Sequence, residues 1–169
     1  EVTAALTGFE VAEFGGIEPN PTYETLMQCV ERVRSENIDY LLAVGGGSVI
    51  DGTKFIAAAA LYQGDPWEIV KKYGMTIERA LPFGTVLTLP ATGSEMNSGA
   101  VITHRALNSK LPFNNPALFP EFSVLDPTKT YTLPAEQIGN GVVDTFVHVT
   151  EQYLTYPVNG KLQDRFAEG

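Results

Sequence analysis

The sequence predicts an α/β fold, a parallel sheet with helices on both faces, and three observations carry that expectation. Leu41-Leu42-Ala43-Val44 is a short apolar run of the kind that forms a strand buried on both faces. Gly45-Gly46-Gly47-Ser48 follows at once and leads into a helical stretch, so a strand, a bare loop and a helix start succeed one another. Phe83 to Leu89, rich in threonine, valine and leucine, repeats the strand signal and stops at Pro90. Strands separated by helical segments give a parallel sheet, because a parallel return needs a crossover.

Composition sets the outer bounds. With 169 residues, 44% of them hydrophobic and 18% charged, the chain has the make-up of a globular protein with a real core. No apolar run approaches the roughly 18 residues that span a bilayer, and no basic region precedes an apolar one at the start. A cytoplasmic protein without a membrane partner is expected. A net charge of −9, with no local basic patch, argues against nucleic acid as a partner. The single cysteine, Cys29, lies among Leu26, Met27, Val30 and Val33 and reads as a core residue.

Taken in order, Glu1 to Phe14 alternates loosely and predicts a strand entering partway through a fold. Gly15 to Pro21 is a stiff, turn-rich loop, and Asn20 with Pro21 behind it reads as the cap and first residue of a helix. Tyr23, Leu26, Met27, Val30 and Val33 form its apolar stripe. The strand from Tyr40 to Val44 comes next. Ser48 is then expected to cap a helix running to about Tyr62, whose Ala57 to Ala60 pack closely against the sheet. Asp65 caps, and Pro66 opens, a shorter helix.

Beyond the strand Phe83 to Leu89, the segment Pro90 to Gly99 gathers hydroxyls, an amide and two glycines. Ala100 to Phe113 predicts a β-hairpin bent at Leu107-Asn108-Ser109, and Phe122 to Leu125 a further strand. A helical region opens near Leu133, with Val142, Val143, Phe146, Val147 and Leu154 as its apolar surface. His104, in the hairpin beside Arg105, reads as a surface residue.

Four places carry candidate chemistry. Ligands of open parallel sheets sit beyond the carboxyl ends of the strands, where both Gly45 to Ser48 and Pro90 to Asn97 fall. The glycine loop is either a tight turn or a grip for phosphate, since a helix N-terminus offers free N–H groups and the positive end of a dipole. The second segment is either a polar surface loop or a set of neutral donors for a ribose, diphosphate or carboxamide. Lys110 is either a contact for such a ligand or solvated. On the later helix Asp144 and His148 stand four apart, a spacing that suits either a surface hydrogen bond or one metal ion.

Three motifs, Ala43-Val44-Gly45-Gly46-Gly47-Ser48-Val49-Ile50-Asp51, Thr88-Leu89-Pro90-Ala91-Thr92-Gly93-Ser94-Glu95 and Asp144-Thr145-Phe146-Val147-His148, make the sequence resemble the iron-containing (group III) alcohol dehydrogenases. Phe14 to Pro21 and Asp164 to Gly169 bring it nearest the NADPH-dependent aldehyde reductase and butanol dehydrogenase branch. The resemblance implies a Rossmann-like nucleotide-binding domain at 1–127 and, at 128–169, the start of an all-helical metal-binding domain. It also implies hydride transfer between NADP, or NAD, and an aldehyde or primary alcohol at a bound Fe²⁺ or Zn²⁺, in a homo-oligomer.

Residue by residue, the resemblance gives Gly46, Gly47, Ser48 and Asp51 to the diphosphate. Asn20, Thr88, Asn97 and Lys110 line the rest of the dinucleotide groove, and Asp144 and His148 are two of four metal ligands. No general acid or base is assigned. The family's first strand with its own glycine loop, and two further histidine ligands, have no counterpart here, so an internal portion of a longer enzyme is expected. The alternatives are a glycerol dehydrogenase or hydroxyacid–oxoacid transhydrogenase relative, and a nucleotide-binding fragment without catalysis.

Overall fold

A computed structural model describes residues 1–155, 157 and 159–169. The elements run α1 (Val2–Ala5), α2 (Tyr23–Ser35), β1 (Leu41–Gly46), α3 (Gly47–Leu61), α4 (Trp67–Lys71), β2 (Phe83–Leu89), β3 (Gly99–His104), β4 (Ser109–Asn114), β5 (Phe122–Val124), α5 (Ala135–Tyr153) and α6 (Lys161–Glu168). The expected α/β class is observed. Strands β1, β2 and β5 form a parallel sheet with β2 in the middle, and β3 and β4 form a separate antiparallel hairpin. Its bend falls at Arg105 to Asn108, with Asn108 in the left-handed region (φ 45°) that asparagine tolerates.

The register fixes what lies beside what. Leu41 pairs with Phe83 and Val44 with Val86, so Gly45 and Gly46, which end β1, arrive level with the end of β2. There the pairing slips: Gly45 faces Leu87, but Gly46 faces Leu89, and Thr88 is the extra residue of a bulge.

Helix α3 packs on the sheet through Ile50, which joins Ala43 and Leu87 in a small buried cluster. Behind it lies the main core, where Leu26, Val30 and Val33 of α2, Phe55 and Ile56 of α3, Trp67, Ile69 and Val70 of α4, and Ile102 and Phe113 of the hairpin meet. Cys29 lies in this core, as its apolar neighbours imply. Ala57, Ala58 and Ala59 are buried, which lets α3 approach closely. Burying one leucine or phenylalanine fully is worth about 1.5–3 kcal/mol, so this cluster is the main source of stability.

Four local expectations are corrected. Glu1 to Phe14 holds a short helix and irregular chain rather than a strand: its alternation is loose, and Phe9 and Val11 stay exposed with no strand to pair among the described residues. Helix α2 is capped by Thr22, whose hydroxyl accepts from the Thr25 N–H, and not by Asn20, which is held at φ 58°. Ser48 does not cap α3; the cap position is Gly46 and no side chain fills it. Helix α4 begins at Trp67 with Pro66 at the cap position, one residue later than expected, and Asp65 accepts from the Trp67 N–H at 3.0 Å from just before it.

The far end of α3 is closed from another helix. Arg34 of α2 donates from Nε to the Ala60 carbonyl at 3.0 Å and from Nη2 to the carbonyls of Ala59 and Tyr62 at 2.5 and 3.0 Å. A guanidinium at the negative end of a helix satisfies carbonyls that have no partner inside it. Arg34→Ala is expected to lower the free energy of unfolding by about 1–2 kcal/mol, read as a lower urea midpoint at unchanged slope. An unchanged midpoint would show that water replaces the guanidinium without loss.

Candidate functional site

The carboxyl ends of β1 and β2 bring three segments together. The first is the start of α3. Gly47 is buried against Thr92, and a Cβ there would collide with the Thr92 side chain. Since no side chain caps the helix, the N–H groups of its first turn are left for a ligand.

The second segment, Pro90 to Gly99, follows β2 and its bulge at Thr88. It turns at Gly93 in the left-handed region (φ 66°), and the Thr92 hydroxyl accepts from the Ser94 N–H at 3.3 Å. The third is the pair Asn20 and Lys110. Lys110 Nζ donates to Asn20 Oδ1 at 2.6 Å, and the Asn20 N–H donates to Ser48 Oγ at 3.3 Å. Asn20, Ser48 and Lys110, far apart in sequence, therefore form one contiguous chain of polar groups.

Asp51 lies one turn into α3 and both its oxygens are engaged. Oδ1 accepts from the Ser94 hydroxyl at 2.6 Å and Oδ2 from the Val101 N–H at 2.9 Å. Burial raises its carboxyl above the ordinary value, against the pull of those two donors and of Lys54 and Lys110.

Lys54, three residues further along the helix, is a buried cation bonded into the site that sequence reasoning missed. It is fully buried, and its three N–H groups are shared among four acceptors within hydrogen-bond distance of Nζ: Ser94 O at 2.7 Å, Ser94 Oγ at 2.8 Å, Asn97 Oδ1 at 3.0 Å and Gly99 O at 2.8 Å. The signal was present: from Val49 to Leu61 the helix carries two charged residues, Asp51 and Lys54, at a spacing that puts both on one side.

The remaining candidates lie elsewhere. Asp144 and His148 face each other on α5, with Oδ2 and Nε2 3.6 Å apart and both side chains more than half exposed. Among the described residues no group of three or more His, Cys, Asp or Glu gathers around a common point. A carboxylate oxygen and an imidazole nitrogen this close suit two corners of a divalent metal site and fall short of the three or four that hold one. A cleft of about 720 Å³ separates the end of β2 from α5 and is lined by Leu89, Pro90, Tyr131, Gln137, Asn140 and Asp144 among others.

The expectation for His104 is corrected. It is not a free surface residue: its ring stacks on Tyr23 at 4.7 Å, meets Trp67 edge-on at 4.9 Å, and sets Nδ1 2.9 Å from Glu24 Oε1.

Fold and loop together define the class, a Rossmann-like α/β unit with a glycine turn opening the helix after its first sheet strand. The chain belongs to the iron-containing alcohol dehydrogenase family, whose model matches residues 1–127. It is 60% identical, over its whole length, to the NADPH-dependent aldehyde reductase YqhD of Escherichia coli K12, and covers 44% of that protein. It is 52% identical over 95% of its length to the probable NADH-dependent butanol dehydrogenase 1 of Bacillus subtilis, covering 41% of it. The crystal structure of E. coli K-12 YqhD superimposes with a TM-score of 0.94 at 59% identity over 99% of this chain and 44% of that one. The chain thus spans less than half the length of the curated relatives it matches. Among the described residues no helix is long and apolar enough to cross a membrane.

Burial pushes the Lys54 ammonium down to about 8, with the carboxylates of Asp51 and Glu95 opposing the shift. An unfolded chain keeps this lysine protonated up to its ordinary value of 10.5, so between those values the unfolded state binds more protons than the folded one. Stability linked to Lys54 therefore rises with pH across that window. Measured by urea unfolding, the stability of the protein relative to Lys54→Met is expected to grow from pH 8 to pH 10.5. A flat or falling difference would show that the buried group does not titrate there.

Proposed function

We propose that the native protein carrying this chain is a metal-dependent, nicotinamide-linked oxidoreductase that interconverts aldehydes and primary alcohols. The observation that supports it most is the convergence of the uncapped start of α3, the bulge at Thr88, the Thr92 to Asn97 turn and the Asn20–Lys110 pair at the carboxyl edge of the sheet. That convergence gives a diphosphate its donors and a ribose or carboxamide its neighbours. The relatives' names, NADPH-dependent in one case and NADH-dependent in another, support a nicotinamide cofactor, and NADPH is the cofactor proposed.

In this proposal the N–H groups at Gly46 and Gly47 and the Ser48 side chain hold the diphosphate. Thr88, Asn97, Lys110 and Asn20 line the remainder of the groove, and Asp51 holds the wall behind it through Ser94 and Val101. Asp144 and His148 supply an oxygen and a nitrogen to Fe²⁺ or Zn²⁺, since such a donor pair suits either ion. When bound, the dinucleotide supplies or accepts a hydride and the metal polarises the substrate oxygen as a Lewis acid. Aldehyde, reduced cofactor and one proton give alcohol and oxidised cofactor. No residue of this chain is assigned as the proton donor.

A division near residue 127, a homo-oligomer and a cytoplasmic location complete the proposal. The oligomer is supported by the apolar side chains of Val142, Val143 and Phe146, which remain 62–70% exposed on α5. The location is supported by Cys29, a buried thiol without a partner.

The native protein, mixed with butyraldehyde, NADPH and added Zn²⁺ or Fe²⁺, is expected to consume the reduced cofactor, followed by its absorbance. Silence with every aldehyde tried and with both NADPH and NADH would overturn the activity. In the same protein Asp144→Ala and His148→Ala are each expected to abolish metal retention through gel filtration, measured by elemental analysis. Metal kept in full by either variant would remove that residue from the ligand set.

A further inference from the structure

We propose that Lys54 is a positioning residue of the cofactor groove, holding the Ser94 to Gly99 segment so that Asn97 presents its amide N–H₂, and not its oxygen, to the ligand. The inference rests on the dinucleotide reading of the groove.

The four acceptors around Lys54 Nζ all come from one short stretch of chain, Ser94 to Gly99. A lysine with no exposed surface is costly to bury, and packing alone would be served by a methionine or leucine at that place in the helix. What the ammonium does that an apolar side chain cannot is gather two backbone carbonyls, a hydroxyl and an amide oxygen around one point. An ammonium suits this better than a guanidinium, because its donors are not confined to a plane.

Asn97 shows the consequence. Its Oδ1 accepts twice, from Lys54 Nζ at 3.0 Å and from the Gly99 N–H at 2.9 Å. Two donors on one side of the amide fix its orientation and leave Nδ2 as the free group. Nδ2 lies over Gly93, 4.0 Å from where a Cβ would stand, on the segment that packs against Gly47 through Thr92. The amide is exposed, so its donor is available to a carboxamide, ribose or phosphate oxygen.

Lys54 also belongs to the helix whose first turn contributes Gly47 and Ser48. One rigid element thereby sets the spacing between the two walls of the groove, through its end on one side and through Lys54 on the other.

The test uses the native protein with butyraldehyde, Zn²⁺ and varied NADPH. Lys54→Met is expected to raise the KM for NADPH about tenfold while kcat at saturating NADPH falls less than about threefold, the pattern of lost cofactor binding. Asn97→Asp, which keeps the acceptor oxygen and removes the donor, is expected to raise that KM to a similar extent. Because both act through one amide, the double variant is expected to be no worse than about twofold beyond the weaker single variant. A merely structural lysine would lower the unfolding midpoint and leave the KM for NADPH where it was; that result overturns the proposal, as do fully additive effects in the double variant.

Should Lys54→Met fail to fold, Ser94→Ala removes one of the four acceptors and is expected to raise the KM about threefold; an unchanged KM overturns the proposal in that case. If the unaltered protein neither binds nor oxidises NADPH, the dinucleotide reading fails and the positioning role falls with it. If it does both and Lys54→Met matches it, only the positioning role fails.

Discussion

The carboxyl edge of the sheet depends on two opposite charges set three residues apart inside a buried helix. Asp51 fastens Ser94 and the first strand of the hairpin, and Lys54 fastens Ser94, Asn97 and Gly99. The residues after β2 have no secondary structure of their own beyond one turn at Ser94–Met96, so these bonds decide their path. The arrangement is two-sided. The Ser94 hydroxyl accepts from Lys54 and donates to Asp51, so removing either charge weakens the bond that the other makes to that serine.

Much of the fold was legible because its signals are local and unambiguous. The run Leu41 to Val44 cut by glycines, the run Phe83 to Leu89 cut by proline and the polar bend between two alternating arms each state their own limits, and β1, β2 and the hairpin appear there. The cap of α2 was not legible, because Asn20 and Thr22 compete for it. Thr22, with extended backbone (φ −100°, ψ 141°), caps α2, whereas Asn20 is turned into the left-handed region and spends its oxygen on Lys110. His104 offered no neighbour in sequence because Tyr23, Glu24 and Trp67 reach it only through the fold. Lys54 was readable in principle, as a lone cation among Phe55, Ile56 and the alanines. A lysine is usually solvated, and that expectation hid it.

The two halves of the candidate site differ in how firmly they are held. The groove residues sit on, or are bonded to, elements of the main core. Asp144 and His148 sit on α5, none of whose residues is buried, and what organises them here is their own i, i+4 spacing. The donor pair is thus a property of one helix, while the groove is a property of the whole α/β unit.

The parallel sheet also carries a consequence for how the chain folds. Leu41 meets Phe83, and Gly84 meets Phe122, only after loops of about forty residues have closed, an entropic cost absent from the hairpin, whose arms meet across a short bend. Local pieces such as β3–β4 and α2 can form early, whereas the bulge at Thr88 and the meeting of Gly46 with Leu89 require the long-range pairing to be complete. The groove is accordingly among the last features to assemble. A ligand that recognises it binds the finished fold and not its precursors, and so holds the chain in that state by mass action.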